Sequence, residues 1–130
     1  MGKGFRLPEG DAELGKAAFV QLDCHQCHRV AGVTLPEPLA PPPVEYTLGG
    51  EVRRVKSYGE LVTAIIQPQH IVSPEYLAKF PEEQRKSIQS PMPPANDRMT
   101  VTQLSHVVTF LHSHYQKAPP PGMTYPYYAP

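Results

Sequence analysis

Hydrophobic residues recur along this chain at helical spacing near each end, with a proline-studded interior between. Gly15, Ala18, Phe19 and Leu22 stand at i, i+3, i+4 and i+7, one face of a helix. Asp11 is a fitting N-cap and Glu13 suits the positive end of the helix dipole, so the spacing predicts a helix over residues 12–23. Leu104, Val107, Val108 and Leu111 repeat the pattern, and Tyr115 extends the stripe. Thr100 and Gln103 form a capping box ahead of them, which predicts a last helix over residues 101–115 with His106 on its solvated side. Gly15 costs about 1 kcal/mol relative to alanine inside a helix. Close approach by a second helix is the expected reason for it.

The interior carries shorter signals. Ser57 and Glu60 form a second capping box before the apolar run 61–66, which stops at Pro68. That helix is apolar nearly all round and should be buried on most sides. Ser73-Pro74 opens a third short helix by the rule that proline suits the first helical position; it should end near residue 80. Residues 81–88 are charged and read as an exposed turn or helical segment. The run 35–43 holds five prolines and cannot be helical, because proline removes donors and blocks the preceding turn. It shapes a stiff wall. Gly49-Gly50 predicts a turn joining residues 44–48 and 52–55 as a small hairpin. Met92 lies between Pro91 and Pro93-Pro94 and is offered from a stiff loop.

Composition narrows the class. A chain of 130 residues fits one domain and can bury about two-thirds of its unfolded surface. Seventeen prolines and nine glycines imply much connecting chain, yet stay below the range of about 25–30% that marks disordered chains. The expected division is one domain over residues 1–116 and a Pro/Tyr-rich, loosely docked tail over 117–130. Twelve basic and twelve acidic residues balance, so nothing points to nucleic acid or an anionic membrane. No run of 18 or more apolar residues suggests a membrane span.

The chemistry is concentrated in Cys24-His25-Gln26-Cys27-His28, which holds the only two cysteines. C-x-x-C-H is the attachment pattern of covalent haem. Two thiols at this spacing reach the two vinyl groups on neighbouring porphyrin edges, and the adjoining histidine is held under the iron as its proximal ligand. A structural zinc site would want four ligands, usually in paired clusters, and His70, His106, His112 and His114 show no spacing that completes one. A thiol–disulfide site belongs at a helix start after a strand, whereas this motif follows a predicted helix. A plain disulfide would leave His28 idle. One haem c is therefore the expected cofactor, with the carbonyl of Pro36 or Pro38 as the expected acceptor for the other N–H of His28.

Taken together, these motifs resemble the class I monohaem c-type cytochromes over roughly residues 11–115. The resemblance rests on Gly15 and Phe19 leading into the Cys24–His28 motif, the Met92-Pro93-Pro94 loop, and Met99-Thr100 with Gln103-Leu104 opening the helix that carries Phe110-Leu111. It implies an all-α fold of three to five helices around one covalent haem, with the first and last helices crossing near Gly15 and Phe110. It implies His28 and Met92 as axial ligands and electron transfer as the task, an electron carrier rather than an enzyme. The early position of the haem motif argues against the cytochrome c′ type.

Function then depends on the sixth ligand. A haem with an open face binds gases or peroxide, while two strong ligands make it chiefly an electron carrier. Met92 is the expected choice; Met99 reads as an apolar staple beside the Thr100 cap, Met123 as an exposed tail residue and His70 as a surface histidine. Arg53, Arg54 and Lys56 form a basic cluster, as do Lys79, Arg85 and Lys86; each is a solvated face, a docking patch or a propionate contact. Tyr46, Tyr58 and Arg53 are the expected propionate contacts. The expected role is a soluble shuttle between an extracytoplasmic dehydrogenase and an acceptor such as a terminal oxidase or reductase, docking transiently at the haem edge. The alternatives are a five-coordinate haem enzyme or gas sensor, and a haem subunit of a permanent redox complex. Covalent haem attachment in bacteria takes place outside the cytoplasm, so a periplasmic or otherwise extracytoplasmic location is expected, although the opening Met-Gly-Lys-Gly-Phe-Arg lacks the apolar core of an export signal.

Overall fold

The computed structural model describes residues 7–42 and 46–119. The first helix, α1 (Ala12–Gln21), starts where Asp11 Oδ1 accepts the Leu14 N–H at 3.0 Å. It ends at Leu22, and Asp23 turns the chain with φ 64° into a short 3₁₀ turn, Cys24–Gln26. Strand β1 (His28–Val30) follows, then β2 (Tyr46–Leu48) and β3 (Gly50–Val52). Next come α2 (Tyr58–Ile66), the single turn α3 (Pro74–Leu77) and a 3₁₀ stretch Glu82–Ser87. The last helix, α4 (Val101–Ser113), leads into β4 (Tyr115–Lys117). Among the described residues, no helix is long and apolar enough to cross a membrane.

The core is the crossing of α1 and α4. Phe19 and Phe110 meet edge-on with ring centroids 5.7 Å apart, the edge-to-face geometry that aromatic pairs favour. Ala18, Leu22, Leu104, Val107, Val108 and Leu111 fill in around them, with Val30 and Leu61 closing the cluster. Gly15 lies directly against α4: a β-carbon there would strike the His106 carbonyl and come within 2.6 Å of Phe110 Cβ. His106 is half-buried rather than fully solvated as its helical position suggests. Its Nδ1 accepts the Asp11 N–H at 2.8 Å, because that side of α4 faces the start of α1.

The hairpin around Gly49-Gly50 does not form. Strand β2 runs parallel to β1, pairing Tyr46 with His28, while β3 runs parallel to β4, pairing Gly50 with Tyr115. Only Gly49 separates β2 from β3, too little chain for even a two-residue hairpin loop. Both glycines take positive φ, 78° and 80°, and the Gly50 N–H donates to the His114 carbonyl at 2.7 Å. The chain leaving α4 is thereby tied to the middle of the protein as far as Ala118, whose N–H donates to the Val52 carbonyl. The rest of the anticipated tail, from residue 120, lies outside the described residues.

Helix α2 also departs from expectation, since Leu61 alone on it is fully buried and Ile66 is exposed. Its Ala64 and Ile65 face the cavity described below. Both capping boxes are present. In the first, Ser57 Oγ accepts the Glu60 N–H at 3.2 Å and Glu60 Oε1 accepts the Ser57 N–H at 2.8 Å. Ser57→Ala should lower stability by about 0.5–2 kcal/mol, read as a shifted denaturant midpoint. Glu60 is also forked by Arg54 (2.9 and 2.6 Å), and chiefly this pairing pushes its carboxyl down to about 2. A carboxylate held low favours the folded state at neutral pH, and that contribution should fade as pH falls from about 4.5 towards 2. Urea midpoints across this window should fall less steeply in Glu60→Gln than in the parent.

Candidate functional site

Local structure delivers the Cys24–His28 motif to one place. Helix α1 ends just before it, the 3₁₀ turn lifts Cys24, and β1 begins at His28. The Tyr46 N–H donates to the Cys27 carbonyl at 3.0 Å, so β2 fixes the far end of the motif. Gln26, one of the two intervening residues, accepts the Leu39 N–H at 2.8 Å through Oε1 and tethers the proline-rich wall. His25, the other, is buried against Gln26 with their Nε2 atoms 3.2 Å apart. Its burial was not legible in a motif where that position is nominally free.

A cavity of about 660 Å³ opens beside the motif, within the range of about 300–1,000 Å³ typical of cofactor sites. Cys24, Cys27, His28 and Met92 all line it, joined by Phe19, Leu48, Ala64, Ile65, Val107 and Leu111. The side chains that the sequence nominates for attachment and for both axial positions are therefore brought to one apolar chamber. Met99 lines it too, while also packing on the core. His70 is exposed and is not among the lining residues. Met123 lies outside the described residues.

The polar rim differs from expectation. Tyr46 lines the cavity, and its hydroxyl is buried with no hydrogen-bond partner. Tyr58 OH is likewise buried and unpartnered, yet Tyr58 is not part of the wall; it packs on the core from the start of α2. Arg53 is exposed and away from the cavity, whereas Arg54 and Lys56 line it. The chain past β3 is irregular, so helical or strand alternation does not tell which of the three basic residues turns inward. Lys79, Arg85 and Lys86 stand apart from the cavity, with Arg85 Nε donating to the Phe80 carbonyl at 3.0 Å.

His28 Nδ1 is buried and makes no hydrogen bond, so neither Pro36 nor Pro38 orients the ring. The proline wall is anchored through Leu39 instead, and the ring is set by the β1–β2 ladder and by its neighbours. Its centroid lies 6.3 Å from that of Tyr46 and 6.5 Å from that of Phe19. Burial holds His28 below the usual imidazole range, with the adjacent Tyr46 backbone pulling the other way. The imidazole is thus kept neutral, the form that binds metal.

The competing chemistries fare less well. As a free thiol Cys24 is pushed up to about 11 by burial, against the opposing pull of Arg98. A thiol of that kind is a poor nucleophile, the reverse of a disulfide-exchange site. Among the described residues, no three of His, Cys, Asp and Glu converge as a zinc site would need. The residues do suit a haem: two thiols at one edge, an imidazole and a thioether in the walls, apolar side chains between, and an unpartnered Tyr46 donor for a propionate.

Comparison with known proteins agrees. The family model described as Cytochrome c matches residues 12–114. No curated protein and no solved structure matches the chain. The matched stretch runs from the first residue of α1 to the residue that closes α4 and takes in nearly the whole cavity wall. The chain therefore belongs to the cytochrome c family, a haem-based electron-transfer family whose haem c is covalently attached, and Cys24 and Cys27 fit its C-x-x-C-H motif.

Proposed function

We propose that His28 and Met92 are the residues that would hold the haem iron and that the protein carries single electrons between an extracytoplasmic dehydrogenase and a downstream acceptor such as a terminal oxidase or reductase. The observation that supports this reading is the sharing of one apolar cavity by Cys24, Cys27, His28 and Met92. When bound, the haem supplies one-electron chemistry at its iron, at a potential set by axial ligands and burial.

The chain supplies the rest. His28 presents a neutral imidazole from a strand fixed by parallel pairing, which limits its movement. Met92 presents a thioether, a ligand that favours the reduced metal and raises the potential. The apolar walls disfavour the extra charge of the ferric state and act in the same direction. Tyr46, Arg54 and Lys56 are the propionate contacts in this reading, in place of Tyr58 and Arg53. Arg54 stays forked to Glu60 and brings its positive charge to the rim already oriented. Partners dock near the Cys24/Cys27 edge through an interface below about 1,200 Å², because turnover demands quick release. Residues 1–116 serve as the electron-transfer unit, and 117–130 follow it as a tail.

Optical spectra of the matured protein provide the test. A low-spin reduced spectrum unchanged by carbon monoxide, with a far-red methionine-to-iron band in the oxidised form, is expected. A ferrous protein that takes up carbon monoxide at once would replace the shuttle with a catalyst or sensor.

A further inference from the structure

The loop that carries Met92 has few ways of being held. Pro91, Pro93 and Pro94 have no N–H, so Ser90 and Met92 own the only amide donors between residues 90 and 94. Both are bonded. The Met92 N–H turns back onto Ser90 Oγ at 3.2 Å, a contact within the loop. The Ser90 N–H donates to Gln69 Oε1 at 2.7 Å, and Gln69 Nε2 donates in return to the Ser90 carbonyl at 2.9 Å. One side chain thus satisfies both backbone groups of the residue two places before Met92, as a neighbouring strand would.

Beyond Met92 the loop is fastened to the same region. Asn96 Nδ2 donates to the carbonyl of Ile66, the last residue of α2, at 2.9 Å. Gln69 lies three residues past that helix end, in the turn closed by the His70 N–H on the Gln67 carbonyl. Helix α2 lines the cavity with Ala64 and Ile65, so the element that walls the chamber holds one clasp of the methionine loop at its last residue, and the turn that follows it holds the other. Nothing in the local sequence pairs Gln69 with Ser90; the contact exists only in the folded chain.

We propose that Gln69 is the positioning residue for Met92: its two-point bond to Ser90 holds the proline-stiffened loop against the end of α2 and keeps the thioether on the iron. The inference rests on Met92 being the sixth ligand. Because the loop is stiff, movement at Ser90 is carried to Met92 rather than absorbed between them. Releasing the clasp therefore favours states in which the thioether has left and an outside ligand can enter.

The test titrates the oxidised, haem-loaded protein with imidazole and follows the far-red methionine band, with the midpoint potential measured alongside. Gln69→Ala should raise imidazole affinity about tenfold, as expected for losing two modest hydrogen bonds from the methionine-bound state, and should lower the potential. Gln69→Glu at neutral pH keeps the acceptor for the Ser90 N–H and loses the donor to its carbonyl, so it should fall between parent and Gln69→Ala. It also serves if the alanine variant fails to mature. Gln67→Ala, a nearby exposed change outside the clasp, should leave affinity and potential as they were. A Gln69 variant that lowers the denaturation midpoint but leaves imidazole affinity and potential untouched overturns the inference, since Gln69 would then be structural only. A parent protein without the methionine band overturns the ligand reading itself, a separate failure.

Discussion

Met92→Ala is expected to abolish the far-red band of the oxidised protein, open the reduced protein to carbon monoxide and lower the midpoint potential. Axial ligands span about 0.8 V in haem proteins, and the loss of a thioether should move the potential by a clear fraction of that range. The fold should survive, because Met92 is only partly buried and lies outside the core cluster. Its loop stays clasped by Gln69 and Asn96. Met99 makes the experiment discriminating, since it lines the same cavity. A Met92→Ala protein that keeps the band identifies Met99 as the ligand, and Met99→Ala should then remove it.

Gly15→Ala should produce the largest loss of stability among single-methyl changes, although alanine is the better helix former. The new β-carbon meets the His106 carbonyl and Phe110 Cβ, both on α4, and neither is the free end of a flexible side chain. Either α1 shifts or α4 does, and the Phe19–Phe110 contact shifts with them. Overpacking of this kind costs about 1–3 kcal/mol and occasionally more, of which the helix-propensity gain recovers about 1 kcal/mol. Gly59→Ala is the matched control. It lies in the first turn of α2 with nothing within 4 Å of the added carbon, so the same substitution should stabilise by about 0.4–1 kcal/mol. Guanidinium midpoints of the two haem-loaded variants should move in opposite directions from the parent. Equal shifts would mean that the helix crossing is looser than the Gly15 contact requires.

What could be read beforehand follows the range of each interaction. The helix starts at Asp11, Ser57, Ser73 and Thr100 all match, because an N-cap is decided within three residues of itself. The helix ends were less legible: α1 stops at Gln21 and α4 at Ser113, short of the apolar stripes, where turns toward β1 and β4 take over. The Gly49-Gly50 pair suggests a hairpin, but the strands pair in parallel with remote partners, His28 with Tyr46 and Gly50 with Tyr115. Burial on α2 was overestimated for a related reason. An apolar helix face says that something apolar covers it, not whether that cover is side chain or cofactor.

The sequence by itself pointed to the chemistry: two thiols and an imidazole at C-x-x-C-H spacing fit covalent haem attachment, whereas a plain disulfide would leave His28 idle. It also marked two apolar helix faces and a glycine suited to close approach, while the crossing of α1 and α4 near Gly15 and Phe110 came from the resemblance to the class I c-type cytochromes. Only the tertiary structure decided how Met92 is brought to the cavity, which basic residues border it, and that Gln69 and Asn96 clasp the methionine loop. Those clasps join residues distant in the chain by one or two hydrogen bonds, and no local pattern encodes a bond whose two ends are specified separately.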